Sequence, residues 1–100
     1  MSKVNHIVLL SFKPETSEET VGQIFDALLD LSESIDGIEN YSSGPNNSPQ
    51  SLSQGYTHGF VMTFSDAAAR DAYLTHPEHV KFEGMALPHI ASVAVFDYEV

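Results

Sequence analysis

Cysteine is absent from the 100 residues, which excludes disulfides, thiolate metal sites and cysteine nucleophiles. Chemistry must therefore come from histidine, tyrosine, serine or the carboxylates. Basic residues are scarce too: four Lys and Arg stand against fourteen Asp and Glu, for a formal charge of −10. A surface of that sign repels phosphate backbones instead of releasing their counterions, so nucleic acid is not an expected partner. The acids read as solvation of exposed faces. No apolar run approaches the roughly 20 residues that a membrane helix needs, so no membrane partner is expected. Met1 to His6 runs straight into a strand-like stretch without the charged, apolar and small-residue regions of a secretory signal. That composition predicts a soluble, cytoplasmic protein.

The length suits one domain, taken as residues 1–100 with a core from about residue 4 to residue 98. A chain this short buries a modest share of its surface, and oligomerisation is a common way to cover the remaining apolar area.

From Val4 to Phe12 the chain reads as a strand rich in β-branched and large apolar residues, ended by Lys13-Pro14. Alternation places Val4, His6, Val8, Leu10 and Phe12 on one face and Asn5, Ile7, Leu9 and Ser11 on the other. Both faces carry apolar side chains, so each needs a cover: helices on one and a partner's sheet on the other. Thr16 and Glu19 have capping-box spacing. Val21, Ile24, Phe25, Leu28, Leu31 and Ile35 then recur at helical spacing up to Asp36-Gly37. A weaker strand from Ile38 to Ser43 closes on Gly44-Pro45, and the polar stretch from Asn46 to Gln54 reads as a loop.

Gly55 is expected to open the next strand, in which Tyr56, His58, Phe60, Met62 and Phe64 are bulky and Thr57, Gly59, Val61 and Thr63 small. The bulky face should meet the helices, while the small face would let a second sheet approach. Ser65-Asp66 caps a helix from Ala67 to His76, Pro77 starts a further helical turn, and Ala91 to Tyr98 forms the last strand. The order β-α-β-β-α-β predicts an α+β, ferredoxin-like domain with an antiparallel sheet.

Four stretches carry a family resemblance: H-I-V-L-L-S-F-K from His6, G-P-N-N-S-P from Gly44, G-Y-T-H-G-F-V-M-T-F from Gly55, and D-A-Y-L-T-H-P-E-H from Asp71 with F-D-Y from Phe96. Together they resemble the stress-responsive A/B barrel (Dabb) family from about His6 to Tyr98. The resemblance implies a homodimer whose sheets pack face to face, a dimeric α/β barrel. The family includes plant polyketide cyclases that close a ring by aldol condensation without metal or organic cofactor. Similarity to that branch maps its catalytic histidine onto His79 and the partner tyrosine onto Tyr73, and its pocket-lining strand histidines onto His6 and His58. The stretch from Lys81 to Ile90 departs from the cyclases: Met85, Ala86, Leu87 and Pro88 replace their pocket aromatics, so substrate identity does not carry over.

The residues support the same chemistry on their own terms. An imidazole in an apolar pocket can take a proton from carbon flanked by carbonyls and return it. A phenol bonded to the carbonyl would stabilise the developing enolate, so His79 reads as the base and Tyr73 as the donor. His6 and His58 share strand parity with the bulky residues, placing a cavity between sheet and helices with Phe60 and Phe25 as apolar walls.

Blander readings stand beside these. A strand histidine also serves as a satisfied buried polar group, Tyr73 also reads as core, and His76 before Pro77 as a turn residue. His89 has no supporting motif. His76 and His79 could present two imidazoles to a metal, but the intervening Pro77 and the lack of a third ligand argue against it. Two functional readings follow: a cofactor-independent cyclase or isomerase acting on a small apolar carbonyl compound, and a non-catalytic stress-responsive binding or structural dimer.

Overall fold

The computed structural model describes residues 2–100. Strand β1 (Val4–Phe12) leads into helix α1 (Glu18–Ser34), then β2 (Ile38–Pro45), β3 (His58–Phe64), α2 (Ala67–Leu74), α3 (Pro77–Ala86), a short 3₁₀ turn at Leu87–His89, and β4 (Ile90–Glu99). The four strands form one antiparallel sheet in the order β2-β3-β1-β4. This is the ferredoxin-like arrangement that the element order predicts. None of the described helices is long and apolar enough to cross a membrane.

The alternation in β1 resolves as expected. Val4, His6, Val8 and Leu10 are buried under the helices, against Phe60, Met62 and Phe64 of β3 and Ile24, Leu28 and Leu31 of α1. On the opposite sheet face Leu9, Phe96 and Tyr98 are exposed, Phe96 at 68%. Gly59 belongs to that face: a Cβ there would lie 3.2 Å from Leu9 Cδ2. Its lack of a side chain is what lets Leu9 lie across β3.

Three local expectations are corrected. The N-cap of α1 is Ser17, whose Oγ accepts from the Thr20 amide at 3.1 Å, while the Thr16 hydroxyl bonds the His89 carbonyl at 3.3 Å. Two candidate caps stood side by side, and tertiary pairing to the far end of the chain took Thr16. The second long strand starts at His58, not Gly55: Gly55 has φ +85°, and the Tyr56 amide bonds Ser53 in a turn. Finally α2 stops at Leu74, because His76 leaves the helix to cap α3, its Nδ1 accepting from the Glu78 amide at 3.1 Å.

Gly37 joins α1 to β2 at φ +94°, and a Cβ there would sit 2.7 Å from the Ala69 Cβ, so α2 docks onto this turn only because the residue is glycine. Docked this way, α2 packs on β1 and β3. It buries Tyr73 to 1% exposure, in the core cluster with Phe60, Met62 and Phe64.

Burial pushes the Tyr73 phenol well above its ordinary value of 10.0, with Glu83 and then Tyr41 adding to the rise. A raised phenol favours the folded state fully below the unfolded value, and that contribution drains away as pH climbs past it. We therefore expect stability to fall once pH exceeds about 10, and Tyr73→Phe to show a smaller alkaline loss. Urea midpoints compared from pH 8 to 11 would check this; parallel declines in the two proteins would refute it.

Candidate functional site

Five rings line up between the sheet and the helices. β1 contributes His6, β3 contributes Phe60 and Phe64, α2 contributes Tyr73 and α3 contributes His79. Tyr73 is the centre of the row. Its ring lies 4.3 Å from that of His79, 5.2 Å from Phe64 and 6.1 Å from His6, centroid to centroid. His79 is backed on its other side by Phe82 at 6.5 Å in a stacked geometry.

Local structure fixes how His79 presents itself. Pro77 starts α3 and His76 caps it, so His79 sits in the first turn, facing the end of α2. Its Nδ1 lies 3.2 Å from the Leu74 carbonyl oxygen. A carbonyl oxygen only accepts, so Nδ1 must carry the hydrogen, which leaves the Nε2 lone pair as the basic position in the neutral ring. Glu83, one turn on, places Oε1 3.7 Å from the same Nδ1. A carboxylate there can pair with the imidazolium that proton abstraction would create. Tyr73, its phenol held neutral by burial, remains a hydrogen-bond donor.

His6 is buried at 5% exposure and is not idle. Its Nδ1 donates to Asp97 Oδ1 at 2.8 Å, and Arg70 Nη1 donates to the other carboxylate oxygen, Oδ2, at 2.7 Å. Arg70 also reaches Asp71 at 2.8 Å. Neither Asp97 nor Arg70 was among the residues chosen from sequence. A signal for Asp97 was present: it shares strand parity with Val93 and Val95, a carboxylate directly after apolar residues on the helix-facing side.

His58 and Phe25 do not join this group. His58 pairs with Leu10, four residues along β1 from His6. That is about 13 Å at strand spacing. It stacks on Phe25 at 5.5 Å and meets Phe12 edge-on at 5.3 Å. The expected single wall is thus two clusters: His6, Phe60, Tyr73 and His79 at one end of the sheet, and His58 with Phe25 at the other.

Concave surface lies beside the ring row. A groove of about 580 Å³ runs between α1 and α3, floored by Leu31, Phe82 and Met85 with Lys81 and Asp30 among its polar residues. Phe82 is the shared wall, with His79 against it. A smaller hollow of about 330 Å³ beneath the loop from Asn46 borders His58. Among the described residues no three metal-ligating side chains converge.

Residues 4–100 match the family model for the stress responsive A/B barrel domain, Dabb. The chain is 34% identical over 96 residues to the stress-response A/B barrel domain-containing protein HS1 of Arabidopsis thaliana, spanning 96% of this chain and 88% of that one. It is 27% identical over 95 residues to olivetolic acid cyclase of Cannabis sativa, covering 95% and 94% of the two chains. Among solved structures, a dimeric ferredoxin-like protein of unknown function from Jannaschia sp. CCS1 superposes with a TM-score of 0.87 at 30% identity, covering 98% of this chain and 99% of that one. With its sheet order, its two-sided strands and this match over nearly its whole length, the chain belongs to the stress-responsive A/B barrel (Dabb) family.

Proposed function

We propose that the protein is a homodimeric, cofactor-independent acid/base catalyst that enolises a small apolar carbonyl compound, as a cyclase or isomerase would. The observation that carries this reading is the hydrogen bond from His79 Nδ1 to the Leu74 carbonyl, which leaves Nε2 basic beside a buried, neutral phenol. Similarity to olivetolic acid cyclase, named for a cyclisation, supports it.

In this scheme His79 Nε2 takes a proton from the carbon next to the substrate carbonyl. The released electron pair forms the enolate, whose oxygen accepts a hydrogen bond from Tyr73. In an isomerisation the imidazolium returns the proton to a different atom. In a cyclisation the enolate carbon bonds to a second carbonyl carbon of the same molecule, and the proton goes to the new alkoxide. Glu83 steadies the imidazolium between the two steps, and His6 and Phe60 orient the substrate. His58 and Phe25 would contact only a ligand long enough to reach the far end of the sheet.

A second reading, a non-catalytic binding or structural dimer, is favoured by the packing: Phe60 and Met62 fill the interior at 7% and 0% exposure. Deuterium wash-in at the α-carbon of a medium-chain alkyl ketone in D₂O separates the two. The catalytic reading predicts exchange above buffer that falls about 10²- to 10⁴-fold in His79→Ala and about 10²-fold or more in Tyr73→Phe. Exchange that His79→Ala leaves unchanged would support the binding reading instead.

The dimer itself is proposed from the bare sheet face, where Leu9, Phe96 and Tyr98 are 40%, 68% and 44% exposed beside Gly59. Face-to-face packing of two such sheets would cover them, and the Jannaschia relative is described as dimeric. Light scattering at micromolar concentration should report twice the chain mass, and half of that for Phe96→Asp. A wild-type monomer would overturn the proposal.

A further inference from the structure

His6 is the more buried of the two histidines in the ring row, with 6% of its side chain exposed against 13% for His79, and its surroundings differ from those of His79. The groups facing its ring are Asp97 from β4, Arg70 and Tyr73 from α2, and the uncharged Phe60 and Phe64 from β3, with His79 beyond Tyr73. A buried imidazole paired with a lone carboxylate is drawn toward the doubly protonated state, because an opposite charge within about 4–6 Å favours the ion. Here the carboxylate is not alone. Arg70 holds Oδ2 at 2.7 Å while His6 holds Oδ1 at 2.8 Å, so the charge of Asp97 is already balanced when the histidine meets it.

The cross-strand register makes the contact obligatory. His6 lies directly opposite Asp97 on the helix-facing side of the β1–β4 pair, and α2 lays Arg70 over the same spot one helical turn before Tyr73. Arg70 and Asp97 also border a hollow of about 240 Å³ at the surface, with side-chain exposures of 23% and 20%. The clamp thus sits at the boundary, and His6 sits inside it at 6%.

We propose that Arg70 is a positioning residue for the site: by neutralising Asp97 it keeps His6 as an uncharged imidazole with hydrogen on Nδ1, so that Nε2 is a hydrogen-bond acceptor for the enol hydroxyl of a bound substrate. The two ring nitrogens point away from one another, so fixing Nδ1 on Asp97 leaves Nε2 free for a different partner. The role in orienting substrate rests on the enolisation reading above. The protonation state of His6 does not, and it can be read without turnover.

Long-range proton–nitrogen correlation NMR on the ¹⁵N-labelled protein at pH 7 distinguishes the forms of each histidine ring. Wild type is expected to show His6 protonated at Nδ1 alone. Arg70→Gln removes the charge and leaves only a shorter amide donor near Asp97, and should raise the ratio of doubly to singly protonated His6 by about tenfold or more. Arg70→Lys keeps the charge and should restore the wild-type pattern, which loss of packing alone would not do. A His6 spectrum that is the same in Arg70→Gln as in wild type, or the same in Arg70→Lys as in Arg70→Gln, would overturn the proposal. Failure of the ketone exchange together with the predicted His6 response would defeat the enolisation reading and leave the clamp standing.

Discussion

Everything at the candidate site depends on Tyr73 being buried between two histidines held by unrelated parts of the chain. Its ring is pinned from below by Phe64 and His6 on the sheet and capped by His79 on α3, 4.3 Å away. Placing a phenol in that position removes its hydroxyl from bulk water and holds it neutral. The constraint propagates outward. α2 must dock close enough to bury the ring, which requires glycine at position 37, and α3 must start immediately after α2, which the His76 cap and Pro77 provide.

The two histidines touching Tyr73 are fixed by different physics. His79 is oriented by a backbone carbonyl left open at the end of α2, a local consequence of two helices abutting. His6 is oriented by side-chain charge, through a carboxylate 91 residues away in sequence and an arginine that shares it. Both bonds put the hydrogen on Nδ1 and leave Nε2 as the unprotonated nitrogen of the neutral ring, so the tyrosine ring sits between two histidines that each keep an acceptor. That symmetry is absent at the other end of the sheet. There His58 meets Phe12, Phe25 and the Thr57 hydroxyl, and among the described residues no carboxylate or carbonyl fixes its tautomer.

Much of the fold was legible because the chain states its periodicities cleanly. One long strand is a run of β-branched and large apolar residues, another alternates bulky and small ones, α1 repeats apolar residues at helical spacing, and Gly or Pro punctuates the boundaries. The family resemblance rested on those same strands and on the histidines within them. What the sequence could not resolve were choices between adjacent equivalents: Thr16 against Ser17 as a cap, or Gly55 against His58 as a strand start. In each, a distant partner or a turn decided. The clamp on His6 was harder still, since it needs the β1–β4 register and the rotation of α2 at once. Only a carboxylate on the same strand face as Val93 and Val95 hinted at it. Likewise, strand parity correctly put His6 and His58 on one face but said nothing of their separation along it.

The proposed enolisation turns on His79 being a base whose lone pair is on Nε2, beside the Tyr73 ring. Assignment of the His79 ring nitrogens by NMR, in the protein without ligand near pH 7.5, tests this most directly. The structure predicts a proton on Nδ1 and an unprotonated Nε2. A ring protonated on Nε2 with Nδ1 bare would contradict the Leu74 hydrogen bond and remove the basis for His79 as the catalytic base.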